Sequence, residues 1–483
     1  MILGTASNVG KSTIVAAICR CASKRGLSVA PFKSQNMSLN SYVTKEGAEI
    51  GIAQAIQAFA AKTEPLAEMN PVLLKPKGDR TSQVVLLGKP YKDVKISDYY
   101  KETDYLLGIA EESYKSLEKK FHNIVVEGAG GAAEINLYDR DIANILLAKK
   151  LKLPIIIVGD IESGGIFAQI IGTYELLPPD VKEKVCGFLI NKFRGDPQLF
   201  KDGIRIIEEK TGLPVIGVLP FTKISLPSED SLSIKDKQTL DLPVKIAVIR
   251  LSRISNFSDF EILEKYASVK YIDPNEKTDD FDCIIIPGTK NTIEDLLELR
   301  EAGFDEKIKA ARQKRIPIIG ICGGYQMLGK EIKDEGFESG KDNTSEGFGL
   351  LDIKTTFDAY SKTTVQVKRN ANPVGPILSL VGEVDGYEIH MGRTDTNDIK
   401  EAFFGDGAVS DDGLVIGTYM HGLFKNKNMT NALLKHLYSQ KNLSFTGILD
   451  EDSDYEAAYN SLSEHFENNV DIDKIMTFFD NNI

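Results

Sequence analysis

Cysteine is scarce in this chain, with five in 483 residues, at positions 19, 21, 186, 283 and 322. They are scattered, and Cys19 and Cys21 share one helical pattern. Neither a disulfide framework nor a zinc site is expected, and the usage fits a reducing cytosol. Long apolar runs are also missing, the longest being strand-sized and far short of the ~20 residues of a membrane helix. Met1-Ile-Leu-Gly leads straight into a glycine-rich loop, leaving no room for a signal peptide, so a cytoplasmic protein with no membrane partner is expected. Basic residues are the minority, 58 Lys and Arg against 70 Asp and Glu. The net charge of -12 argues against nucleic acid as a partner. What remains is an ordinary globular composition, long enough for about two to four domains.

The most telling stretch is Ile319-Gly-Ile-Cys-Gly-Gly-Tyr-Gln-Met-Leu-Gly329. An apolar run from Ile316 reads as a buried parallel strand, and a helical pattern starts at Tyr325. Cys322 therefore sits at a strand-to-helix turn among small residues, the geometry of a nucleophile elbow. A helix N-terminus there favours the thiolate. The competing reading is a buried structural cysteine beside a tight turn.

The N-terminal motif is Gly4-Thr5-Ala-Ser-Asn-Val-Gly10-Lys11-Ser12, ahead of an amphipathic run. Five residues rather than the usual four separate its glycines, but the physics of a phosphate loop carries over. Gly4, Thr5, Gly10 and the following amides cradle phosphate oxygens, Lys11 reaches the outer phosphates, and Ser12 is placed to hold Mg2+. ATP and Mg2+ are the expected cofactors. Leu27 to Phe32 reads as a second strand, followed by the polar loop Lys33-Ser-Gln35-Asn36-Met-Ser-Leu-Asn-Ser41, expected to be a binding loop. Glu49 to Ala61 reads as a helix. Lys75, within a basic stretch reaching Arg80, is a candidate seat for an anionic substrate or a solvated turn. Glu127, ending the strand Asn123-Ile-Val-Val, is placed to complete a Mg2+ shell. Strands follow at Pro154–Asp160, Gly187–Asn191 and Pro214–Pro220, and Asn191 is a candidate reader of the adenine edge. Alternating strands and helices imply a doubly wound parallel sheet.

Residues 224–243 read as a linker between an N-terminal domain, 1–223, and a second α/β domain, 244–440, with an acidic helical tail at 441–483. In the second domain, Asp282 to Pro287 is a buried strand. The turn after it, from Gly288, offers one N–H of an oxyanion hole, with Gly323 N–H as the second. Thr292 serves as helix cap in the simpler reading. Among five histidines, His122, His436 and His465 have little to recommend them. His421 ends an apolar strand before a glycine and is the favoured base for Cys322, with His390 the competitor.

Taken together, these motifs closely resemble cobyric acid synthases. The resemblance rests on the phosphate loop, Gln35-Asn-Met-Ser-Leu-Asn-Ser41, Glu127-Gly-Ala-Gly-Gly131, the Cys322 elbow, Gly386-Tyr-Glu-Ile-His-Met-Gly392 and Tyr419-Met-His-Gly422. It implies two doubly wound domains, an N-terminal P-loop domain like dethiobiotin synthetase and a C-terminal class I glutamine-amidotransferase-like domain. It also implies Cys322 and His421 as catalytic pair, and Lys33, Gln35, Asn36 and Lys75 near the substrate. The reaction implied is ATP-dependent amidation of the b, d, e and g carboxylates of adenosylcobyrinic acid a,c-diamide, with nitrogen from L-glutamine. The nearest alternative is cobyrinic acid a,c-diamide synthase, and another is an ATPase switch with a silent amidotransferase module. Class I glutaminases usually carry Glu two residues after the histidine; here that position is Leu423, and no third member can be named. Oligomeric state stays open, a homo-oligomer among the options.

Overall fold

The computed structural model describes residues 1–78, 80–222, 224, 239–448 and 452–480, so most of the expected linker lies outside the described residues. The first half builds β1 (Ile2–Gly4), α1 (Lys11–Lys24), β2 (Val29–Phe32), α2 (Ile52–Ala60), β3 (Asn123–Val126), β4 (Ile155–Asp160), β5 (Val185–Phe193) and β6 (Val215–Pro220). Strands β1, β4, β5 and β6 pair in parallel, β2 pairs in parallel with β3, and a bridge from Ile2 to Glu127 joins the two sets. The order 2-3-1-4-5-6 reverses direction at β1, and the glycine loop after β1 lies at that reversal, where open α/β sheets bind ligands. Every residue of β4 is buried, as expected for a parallel strand covered on both faces.

The helix expected from Glu49 starts only at Ile52. Glu49–Gly51 instead pairs antiparallel with Ser41–Val43, so Glu49 is a strand residue with no solvent exposure. Beside this hairpin, the strands Gln35–Met37, Val72–Gly78, Thr81–Leu86 and Lys89–Lys95 make a small mixed sheet.

The second half builds β7 (Lys245–Ile249), β8 (Ser268–Ile272), β9 (Cys283–Ile286), β10 (Ile318–Ile321), α3 (Gly323–Met327) and β11 (Val415–Thr418). These strands run parallel in the order 8-7-9-10-11, with Ala408–Val409 antiparallel at the edge. The loops after β9 and β10 thus emerge side by side. Asn291, rather than Thr292, caps the helix that follows β9.

The acidic tail forms α4 (Asp452–Glu467) and α5 (Ile472–Asp480) and returns to the first half. Tyr459, Leu462, Phe466 and Ile472 pack with Ile14, Val15 and Ile18 of α1, and Val470 bridges to Gly217 of β6. Arg20, 1% exposed, pairs with Glu456 and donates to Asn460 Oδ1 at 3.0 Å. The tail therefore completes the core behind the glycine loop. We predict that Phe466→Ala destabilises the first half by about 3–5 kcal/mol, the usual range for a buried Phe, while glutamine hydrolysis in the second half is unchanged. Thermal unfolding followed alongside a glutaminase assay checks this.

Candidate active site

Two clusters of chemically active side chains stand at the C-terminal ends of the two sheets. At the first, α1 starts from Gly10 (φ +98°), which gives it no side-chain cap, and the N-terminus of such a helix favours an anion. Lys11 Nζ bonds Ala6 O at 2.9 Å and Gly130 O at 2.6 Å, spanning the loop. A Cβ at Gly4 would come within 2.7 Å of that amine. Thr5 Oγ1 donates to Gln169 Oε1 at 3.1 Å. Asn191 Nδ2 donates to Val9 O at 2.8 Å, so this side chain braces the loop itself.

Glu127, with no solvent exposure, accepts from Ser12 Oγ at 2.7 Å, from Lys33 Nζ at 2.8 Å and from Gln57 Nε2. Burial pushes its pKa up, but the Lys33 charge and these hydrogen bonds outweigh burial and hold the carboxyl below its ordinary value. A hydroxyl and a carboxylate in contact beside a phosphate loop are the hard oxygen donors Mg2+ takes together with phosphates and water. This donor set fits the ion.

The loop from Lys33 to Ser41, expected to be an open binding loop, is largely buried, Met37 being its exposed residue. Gln35 Oε1 accepts from Tyr99 OH at 2.6 Å, and Asn36 Nδ2 donates to Gln54 Oε1 at 2.9 Å. Lys75, also buried, pairs with Glu49 and donates to Ser41 Oγ at 2.9 Å, facing the second half of the chain. The solvated basic turn is therefore not what forms at Lys75.

At the second cluster, Cys322 joins β10 to α3 with φ +50° and ψ -108°. A non-glycine residue held there costs about 1–3 kcal/mol, strain that clusters at functional sites. The turn is tight: a Cβ at Gly324 would meet Ile286 O at 2.0 Å. Cys322 lines a cavity of about 40 Å³ with His421, Ser255, Gln326 and Glu338. The Cys322 thiol donates to Ile389 O at 3.5 Å, and the His421 ring lines the cavity beside it. Its Nδ1 lies 2.7 Å from Asp259 Oδ2, and Asp259 Oδ1 accepts from Gly422 N at 3.0 Å. Burial lowers the His421 pKa, but the charge and hydrogen bond of Asp259, with the Cys322 sulfur nearby, override it and push it up to about 10. The cluster thus favours the imidazolium form of His421, the form left once a proton has passed to it from Cys322.

Gly288 and Gly323 flank this pair. A Cβ at Gly288 would stand 3.2 Å from His421 Cε1, and one at Gly323 would stand 2.7 Å from Thr289 Cγ2. His390 lines the same cavity, but its Nδ1 meets Gly392 O at 2.8 Å and its ring stacks on Tyr419 at 3.6 Å. Leu423 is buried core. The orienting carboxylate comes instead from Asp259, 162 residues before the histidine. Its one trace in the sequence is an acid set between two aromatics, Phe257 and Phe260, which must be partnered once those are buried.

Comparison with known proteins matches each half of the chain to a family. Residues 1–234 match the CobQ/CobB/MinD/ParA nucleotide binding domain, and residues 245–429 match the CobB/CobQ-like glutamine amidotransferase domain. Several relatives carry the name "Probable cobyric acid synthase". That of Methanoculleus marisnigri is 59% identical over 99% of this chain and 98% of its own length. That of Methanosphaerula palustris is 60% identical over 99% and 97%. That of Methanoregula boonei is 60% identical over 99% of both.

The raised His421 pKa fixes a sign. The stabilisation from the His421–Asp259 pair is complete below the ordinary value of 6.5 and is lost as pH rises through about 10. In Asp259→Asn we expect His421 to titrate well below about 10, and the alkaline loss of stability to flatten. Glutamine hydrolysis should fall roughly 10²- to 10⁴-fold in kcat. Imidazole titration by NMR and a glutaminase assay measure both, and an unchanged kcat would remove Asp259 from the site.

Proposed function

The chain belongs to the family of the probable cobyric acid synthases, and on that premise we propose that it amidates the b, d, e and g carboxylates of adenosylcobyrinic acid a,c-diamide, using ATP and L-glutamine. It is a glutamine-hydrolysing, ATP-dependent amidoligase. The observation that carries the glutaminase half of this reading is His421, bonded to Asp259, lining the same buried cavity as Cys322. A silent module has no use for a reactive thiol, so the switch reading loses its ground. The a,c-diamide synthase alternative is likewise not favoured by the names of the full-length relatives.

In this reading Cys322 Sγ, its proton passed to His421, attacks the side-chain amide carbon of glutamine. The N–H groups of Gly288 and Gly323 receive the charge on the amide oxygen. His421 returns the proton to the departing nitrogen, ammonia leaves, and a thioester remains. His421 then takes a proton from water, hydroxide attacks the thioester, and glutamate leaves with Sγ restored. At the other sheet, a corrinoid carboxylate oxygen takes the terminal phosphoryl group of ATP, giving an acyl phosphate and releasing ADP. Ammonia displaces the phosphate to form the amide. Lys11 and Lys33 hold the phosphate oxygens, and Ser12 and Glu127 would hold Mg2+, which would supply charge neutralisation there. In bulk water ammonia would become unreactive ammonium, so the reading includes a shielded passage between the two ends.

The test is mass spectrometry of the corrinoid incubated with protein, ATP, Mg2+ and glutamine. Four successive conversions of acid to amide are expected, lost in Lys11→Ala. In Cys322→Ala they should be lost with glutamine and retained with ammonium. Conversion of unamidated cobyrinic acid alone would move the assignment to the a,c-diamide enzyme.

A further inference from the structure

The thiol cavity does not end at Cys322. Its far wall is made by Lys75, Lys290 and Lys362, and Lys75 comes from the other half of the chain. Glu49, with no exposure, pairs with both Lys75 and Lys362, whose side chains are 5% and 3% exposed. Lys290 Nζ crosses the same boundary to Gln83 Oε1 at 2.9 Å. Three lysines thus face Glu49 and Glu338 in a buried space, where burial pushes Lys290 well below its ordinary value, Lys362 down to about 8 and Glu338 up to about 7. A place that costs its own ammonium groups their charge disfavours an ammonium ion in the same way, whereas neutral ammonia meets no such cost.

Behind Glu49 the polar line continues inward. Gly51, two residues on, lies so close to the next amides that a Cβ there would meet Asn36 Nδ2 at 2.5 Å and Gln54 Oε1 at 2.8 Å. One turn further along α2, Gln57 Nε2 reaches Glu127. Gln54 and Gln57 are 0% and 1% exposed, yet Gln54 Nε2 and Gln57 Oε1 have no hydrogen-bond partner among the described residues. A buried donor or acceptor left this way costs about 1–3 kcal/mol and calls for an explanation. Here a spare donor and a spare acceptor stand three residues apart on one helix. Ammonia, with one lone pair and three N–H bonds, satisfies both.

We propose that the Glu49–Lys75–Lys362 cluster gates the entry of ammonia from the Cys322 cavity into the nucleotide-binding half, and that the amides of Gln54 and Gln57 pass it on toward Glu127. This rests on the amidoligase reading and names the passage it requires. Opening exchanges the ion pairs of one buried carboxylate between two lysines and neutral ammonia passes beside them; no covalent bond changes.

The test compares wild type with Glu49→Gln/Lys362→Gln, which removes one charge of each sign, and with Gln54→Leu. Glutamate released per amide formed is measured, together with amidation driven by external ammonium. Wild type should release one glutamate per amide. Both variants should release several-fold more glutamate per amide, whatever the glutamine turnover of the double variant, and Gln54→Leu should retain both glutamine turnover and ammonium-driven amidation. A ratio of one in both variants overturns the proposal. So does a raised KM for glutamine at an unchanged ratio, which would assign the lysines to the glutamine carboxylate. Should the double variant fail to fold, seen as lost ammonium-driven amidation, Gln54→Leu decides alone. Wild type that amidates with neither donor would instead defeat the functional reading itself.

Discussion

A carboxylate withdrawn from water must find its counter-charge or its donors inside the protein, and this requirement organises the molecule. Glu127, Glu49 and Asp259 are all buried, and each is held by partners from distant parts of the chain. Glu127 gathers Ser12, Lys33 and Gln57 around the phosphate loop. Glu49 draws Lys75 and Lys362 together across the boundary between the halves. Asp259 fixes His421 beneath the thiol. Remove any one carboxylate and the cations around it are left uncompensated in a low-dielectric interior, a loss that for buried pairs reaches about 3–5 kcal/mol.

Such pairs are poor devices for stability alone, since well-packed apolar side chains of similar volume commonly do as well or better. Their value here is positional. The Lys33–Glu127 pair sets a cation beside the glycine loop, and the Asp259–His421 pair fixes one ring orientation against Cys322. The Glu49 cluster keeps the two halves in register at the point where the thiol cavity meets the first half. Tyr387 OH donates to Ser41 O at 3.1 Å and Ser41 N to Asn256 Oδ1 at 2.9 Å, so the same boundary is also pinned by neutral bonds.

What the sequence made legible was what depends on neighbours in the chain. The phosphate loop, the buried parallel strands and the Cys322 elbow are each written within about a dozen residues, through glycine placement and apolar periodicity. The elbow was readable because Gly323 and Gly324 must be small where the chain turns back on Ile286. Glu49 misled because an Ala/Gln-rich helix begins three residues later, and its pairing with Val43 is a hairpin contact that the helical composition conceals. The polar loop from Lys33 to Ser41 read as a binding loop, yet it is largely buried, with Gln35 held by Tyr99 and Asn36 by Gln54 of the neighbouring helix. Asp259 and Lys362 were beyond reach for a plainer reason. Their partners lie 162 and 313 residues away, and no local pattern encodes a contact at that distance.

The tail belongs to the same logic. Because α4 and α5 pack on α1, the chain leaves the first half at β6, builds the second sheet, and comes back to finish the core it began. The second half is therefore joined to the first by two crossings rather than one, which restricts how far the halves can separate. A buried ion cluster at the boundary needs that restriction, since partial opening would admit water and dissolve the advantage of pairing Glu49 internally. It also needs some freedom, because Lys75 and Lys362 compete for the same carboxylate. Two tethers and one shared counter-ion together allow small rearrangements at the boundary while opposing its opening, the behaviour that a shielded passage between two reacting centres requires.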